Sequence, residues 1–201
     1  MNLVRYFIAL VLVVSLPPLF LYWCLIHPFV RFWRARGVAA TYSIILTLIG
    51  GAMVALFSVR HHLLTIDWGT NYWLIGLGIL FLLFSGLMRF ALQKHLTVAT
   101  LLGLPEIAPD HYPRKLATEG LYARMRHPRY LQILIALSGY ALISNFFAVY
   151  LLVALWLPGI YLIVLLEERE LRAHFGTAYD EYCRRVPRFW PVLRPRSHAG
   201  R

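Results

Sequence analysis

A chain of 201 residues that is 60% hydrophobic and only 14% charged carries too much apolar surface for one soluble domain of ordinary core size, and it reads as an integral membrane protein. Its formal net charge of +11 comes from 20 Lys and Arg against 9 Asp and Glu. The basic residues gather at the edges of apolar stretches and no nucleic-acid-reading module accompanies them, which excludes a nucleic-acid binder and leaves membrane lipid headgroups or an anionic ligand as their partners.

Hydrocarbon about 30 Å thick is crossed by roughly 20 residues at 1.5 Å rise each. Leu3–Ile26, Ala39–Val59 and Tyr72–Leu92 reach that length. The first is expected to stay as an anchor, since no small-residue cleavage site precedes its polar flank. Gly76, Gly78 and Gly86 on the third are expected to let another helix approach closely. Arg60, His61 and His62 form an interfacial cap, not a metal site, because neighbouring helical residues point about 100° apart. A fourth apolar block, Tyr130–Leu166, is interrupted by Ser144 and Asn145 and so makes two legs of a tight hairpin. Beyond it, Leu171, Phe175, Tyr179 and Tyr182 recur at three- and four-residue spacing on one helical face.

The expected architecture is all-α and membrane-integral: about five transmembrane helices, the last two a hairpin, plus a C-terminal cytoplasmic amphipathic helix. Residues 1–201 form a single domain, with three spans in 1–95 and the chemistry-bearing region in 96–201. Cys24 and Cys183 lie in segments of different depth and are read as free thiols. Eighteen of the twenty Lys and Arg fall in connections on one side, leaving Arg5 and Arg60 on the other. By the positive-inside rule the N-terminus lies outside and the C-terminus in the cytoplasm.

The functional signal lies at the two polar ends of the hairpin, "TEGLYARMRHPRY" before it and "LLEERELRAHFGTAYDEYCRRVPRFWP" after it. Both legs leave from and return to the same face, so His127 and Glu167 become neighbours. Pro128 suits the first helical turn, and the helix N-terminus with Arg126 or Arg129 makes a place for a carboxylate. Glu167 and Glu168 close the following helix at its negative end, where a cation relieves the strain. A small ligand with both a carboxylate and positive charge fits, and S-adenosylmethionine has that pattern. The same charges could also merely pair with each other.

Taken together, "GLY" ahead of "RHPRY", the apolar hairpin, the "EE" pair, "FGTAYDEY" and the closing "VPRFWP" resemble the isoprenylcysteine carboxyl methyltransferase and phospholipid methyltransferase superfamily over residues 116–191. The resemblance implies an S-adenosyl-L-methionine pocket formed by Leu116, Ala117, Tyr122, His127, Pro128, Arg129, Tyr130 and Glu167. Arg126 and Glu168 take the catalytic positions, with Glu168, Tyr130 and His127 all able to accept a proton. Where the family commonly has glycine, this chain has Gln132, and where prenylcysteine enzymes carry a substrate arginine it has Ile163. Gln132, with Trp156 and Tyr161 flanking the helix-interrupting Pro158, is assigned to a lipophilic or prenylated substrate entering from the bilayer. A bacterial or archaeal plasma membrane is the expected location. The alternatives are an NADPH-dependent membrane reductase of similar architecture and a non-catalytic lipid-binding scaffold. A transporter is disfavoured, since no charged residue marks the middle of a predicted helix.

Overall fold

The structure is a computed structural model that describes residues 2–26, 28–93, 104 and 116–191. The described residues are helical throughout apart from turns and one isolated bridge between Asp67 and Phe146. Helix α1 spans Asn2–Ile26, α2 Val30–Ser58, α3 Arg60–Leu63 and α4 Tyr72–Leu92. A single 3-10 turn at Gly120–Ala123 precedes α5, Pro128–Ser144, which is followed by α6, Phe147–Phe175, and α7, Thr177–Arg185.

Four helices, α1, α2, α4 and α6, are long and apolar enough to cross a membrane. The expected first leg of the hairpin, α5, has 17 residues and lies at the short limit for a span. Its boundaries follow from local chemistry. Pro128 opens it at the position where a missing N–H costs no helical hydrogen bond, and Asn145 ends it in the left-handed region at φ 55 while donating to the Ala141 carbonyl at 2.8 Å. The Ser144–Asn145 interruption is therefore the hairpin turn itself. At the start of α4 the Asn71 side chain accepts from the N–H groups of Trp73 and Leu74, at 3.0 and 3.2 Å.

Two boundaries differ from expectation. Helix α2 begins nine residues early, and Gly37 at φ 76 breaks it, so Val30–Arg36 is set off from the apolar run that follows. The amphipathic tail is also not one helix after Leu166. Helix α6 continues to Phe175, Gly176 at φ 55 turns the chain, and α7 is a separate nine-residue helix. The apolar stripe survives the break: Tyr179 and Tyr182 are buried with Val186 against Leu171 and Phe175.

Helix α1 packs on α2, α5 and α6. Its residues Leu12, Val13 and Leu16 share a core with Leu137 and Ala141 of α5 and Val149 of α6. Helix α4 lies along α5, where Gly78 and Gly139 face each other. A β-carbon at Gly78 would stand 2.6 Å from the Gly139 carbonyl, and one at Gly139 2.9 Å from the Gly78 carbonyl. Gly76 and Gly86, expected to share this role, have nothing within 4 Å of a built β-carbon.

At the hairpin turn, Arg5 of α1 is 1% exposed and draws three elements together. Its guanidinium donates to the Ser144 carbonyl at 3.0 Å and to the Thr70 hydroxyl at 3.3 Å, pairs with Asp67, and lies over the Phe146 ring. The polar motifs are thereby left together at the other end of the hairpin.

Candidate functional site

The site forms where α5 begins and α6 passes beyond its apolar stretch, with the chain after α7 closing it. The backbone N–H of Arg126 donates to the Pro187 carbonyl at 2.8 Å, and that of His127 to the Arg188 carbonyl at 3.1 Å. This short pairing lays the segment Pro187–Phe189 across the motif "RHP". Beneath it, Arg126, His127, Glu167 and Glu168 meet, forty residues of hairpin having been folded back on itself.

Glu168 is the centre, at 1% exposure. Its Oε1 lies 3.1 Å from His127 Nε2 and 3.0 Å from Arg126 Nη1, and it accepts from Arg188 Nε at 3.0 Å. Its Oε2 accepts from Arg188 Nη2 at 2.8 Å, and Arg172 Nη2 stands 4.0 Å away. Burying a carboxylate is costly unless its lone pairs are met, and two guanidiniums and an imidazole meet them here, so the group is held charged. Glu167, by contrast, is 34% exposed along its side chain, with Oε2 buried, lacking a hydrogen bond and 3.6 Å from His127 Nδ1. Arg126 Nε and the Tyr179 hydroxyl are likewise buried without a hydrogen-bond partner. A buried acceptor and buried donors left open beside a satisfied ion cluster are what a polar ligand would complete.

The other sequence-assigned residues surround this centre. His127 is the N-cap residue of α5 and Pro128 its first residue. The Tyr130 ring lies 5.9 Å from the His127 ring and packs with Ile160, Ile163 and Val164 of α6. Arg129 turns away from Glu168 and lies over the Trp23 ring of α1 at 5.3 Å. Tyr122 offers its carbonyl to the Tyr182 hydroxyl at 2.7 Å. Burial, and after it the charge of Glu167, push the Tyr122 phenol up to about 12, with Arg129 pulling the other way. Burial likewise raises the phenols of Tyr179 and Tyr182. Leu116 packs on the Tyr179 and Tyr182 cluster, with Ala117 half-buried beside it.

The three residues assigned to substrate do not converge. The Gln132 amide donates to the Ser85 hydroxyl at 2.6 Å, and that hydroxyl donates back to the Gln132 carbonyl at 3.2 Å, so the side chain bridges α5 to α4. Trp156 packs on Phe20 of α1, the ring centroids 5.7 Å apart. Gly159, next to Pro158, lies so close to Phe20 that a β-carbon there would come within 2.4 Å of its ring, so α1 fills that side of the helix. Tyr161 alone borders the cluster, its hydroxyl accepting from Arg188 Nη1 at 3.3 Å.

Arg188 itself went unassigned on sequence. Its signal was present in the closing "VPRFWP", but nothing in that motif says which carboxylate it reaches. Cys183 is also nearer the site than expected, its sulfur accepting from Arg126 Nη1 at 2.7 Å, and both cysteines are free.

No curated protein and no solved structure matches the chain. A family model described as phospholipid methyltransferase matches residues 73–178, more than half of the chain, from the start of α4 through the hairpin and both glutamates into α7. With its apolar spanning helices and polar cluster at the hairpin ends, the chain belongs to the phospholipid methyltransferase family of integral membrane proteins.

Proposed function

We propose that the chain transfers the methyl group of S-adenosylmethionine to a lipophilic acceptor at the cytoplasmic boundary of the membrane. The observation that carries this reading is the set of buried polar atoms without a hydrogen bond, Glu167 Oε2 and Arg126 Nε, beside the His127–Glu168 pair. The residues fit the cofactor chemically: Glu167 accepts from its ammonium or ribose hydroxyls, while Arg126 and the α5 N-terminus receive its carboxylate. When bound, the cofactor would supply a sulfonium-activated methyl group to the acceptor.

The protein's own work is alignment and exclusion of water, since an activated methyl needs few catalytic side chains; orientation of this kind supplies roughly 7–11 kcal/mol. His127, Tyr130 and Phe189 wall the centre with rings. An acceptor amine must first lose a proton. An acceptor carboxylate needs none.

A lipophilic acceptor would find apolar space near the segment that leads into α5. A cavity of about 380 Å³ lies between the C-terminal end of α4 and the segment leading into α5, lined by Phe84, Leu87, Met88, Leu121, Met125 and Leu131, with Arg124 as the one charge among its described lining residues. That composition suits a lipid chain whose headgroup meets Arg124, two residues before Arg126 in the chain. The excess of basic residues in the connections on this side supports a cytoplasmic site with the N-terminus outside, and a prokaryotic plasma membrane is part of the same proposal.

The test is calorimetric titration of the detergent-purified protein with S-adenosylmethionine and with NADPH, alongside Glu167→Ala. Micromolar binding of S-adenosylmethionine, lost in the variant, supports the reading. Binding of NADPH alone replaces it with a reductase, and cofactor binding without methyl transfer to any lipid extract replaces it with a lipid-binding scaffold.

A further inference from the structure

The two adjacent glutamates stand in opposite situations. Both oxygens of Glu168 are taken by the protein's own donors, and the residue is 1% exposed, whereas Glu167 keeps a buried oxygen without a hydrogen bond, 3.6 Å from His127 Nδ1, and a third of its side chain open. The difference traces to Arg188. Its fork meets Glu168 through two nitrogens at 3.0 and 2.8 Å, the geometry in which a guanidinium binds a carboxylate most strongly, while its third nitrogen reaches Tyr161. Its own carbonyl accepts from the His127 N–H, so one residue fixes the backbone of the motif histidine and the carboxylate facing that histidine's ring.

From this geometry we infer that Arg188 is a positioning residue of the site: it makes Glu168 an internal counter-ion that orients Arg126 and His127, and so leaves Glu167 as the carboxylate offered to the ligand. Residue 188 lies beyond the segment matched by the family model, which ends at 178. The inference rests on the cofactor reading proposed above. A rival role has the opposite sign. If Arg188 were a stand-in occupying the place of the ligand's own positive charge on Glu168, removing it would free that carboxylate and tighten binding.

The experiment measures the dissociation constant for S-adenosylmethionine and the melting temperature of the wild type and of Arg188→Gln, Arg188→Lys, Glu168→Gln and the Arg188→Gln/Glu168→Gln pair. Expected are a loss of affinity of about tenfold in Arg188→Gln and partial recovery in Arg188→Lys, which restores the charge without the fork. The double variant should bind no more weakly than Glu168→Gln alone, because neighbours acting through one contact are not additive. Unchanged or tighter binding in a folded Arg188→Gln overturns the proposal, as does a lowered melting temperature with affinity preserved or an additive double variant. Should Arg188→Gln not fold, Arg188→Lys carries the test, since affinity equal to the wild type there also overturns it. Wild-type protein that binds no S-adenosylmethionine would instead remove the cofactor reading, so the two failures are distinguishable.

Discussion

The crossing of α4 and α5 carries the site, because α5 presents His127 at its first turn, and its tolerance can be worked from one atom. Alanine at position 78 would put a β-carbon 2.6 Å from the Gly139 carbonyl and 2.7 Å from Ile143 Cγ1. The isoleucine can rotate, but the carbonyl belongs to the α5 backbone and cannot. Restoring ordinary contact at about 3.4 Å requires the helices to part by 3.4 − 2.6, about 0.8 Å. A gap of that size forfeits a quarter to a half of the dispersion well for each facing atom pair, and strained repacking costs roughly 1–3 kcal/mol. It also pulls on the 2.6 Å bond between Gln132 and Ser85. Gly76, two residues away on the same helix, has open space, and alanine there should be neutral or gain up to about 1 kcal/mol from helix propensity. Thermal unfolding of the detergent-purified variants, followed by tryptophan fluorescence, compares the two. Gly78→Ala melting at or above Gly76→Ala would refute the close crossing.

At the hairpin turn, Arg5→Gln should lower stability by about 2 kcal/mol, less than the loss of a fully buried pair because Asp67 is 39% exposed, while leaving affinity for S-adenosylmethionine within about twofold. Melting curves and titration of the same preparation check it, and a large loss of affinity would mean that the two ends of the hairpin are coupled. The phenols of Tyr122, Tyr179 and Tyr182 are all raised above the usual value of 10, so below that pH they contribute no penalty to folding. As pH rises past 10 the unfolded chain loses these protons before the folded one does, and stability falls from there toward the Tyr122 value of about 12. Melting temperatures from pH 8 to pH 11 should drop more steeply in the wild type than in Tyr122→Phe.

What was legible in the sequence is what a local pattern enforces. Apolar length announces α1, α4 and the hairpin, and Asn145 announces its turn because asparagine tolerates the left-handed conformation that ends α5. Pro128 announces the α5 start by the N–H it lacks. Three glycines on α4, however, look alike in sequence, and which one meets α5 depends on the rotation of the helix, which only packing decides. Gln132 likewise reads as a substrate residue until Ser85, on another helix, supplies its partner.

The same distinction explains why the glutamates could be found but not told apart. Their adjacency at the end of an apolar run is a sequence signal, and so is the histidine forty residues earlier. Neighbours on a helix nevertheless point about 100° apart, so only one of the two can face the segment that returns after α7. That return is held by backbone bonds from Arg126 and His127 to the carbonyls of residues 187 and 188, and such bonds leave no side-chain pattern to read. Once it is in place, Arg188 lands on Glu168 while Glu167 stays a third exposed beside His127 Nδ1, so the choice between the glutamates is made by the stretch that follows α7. Relocating that stretch, for example by a one-residue insertion after Val186, should unpair Glu168 and weaken S-adenosylmethionine binding while leaving the helical content measured by circular dichroism unchanged. Full affinity in such a variant would show that the two carboxylates are interchangeable.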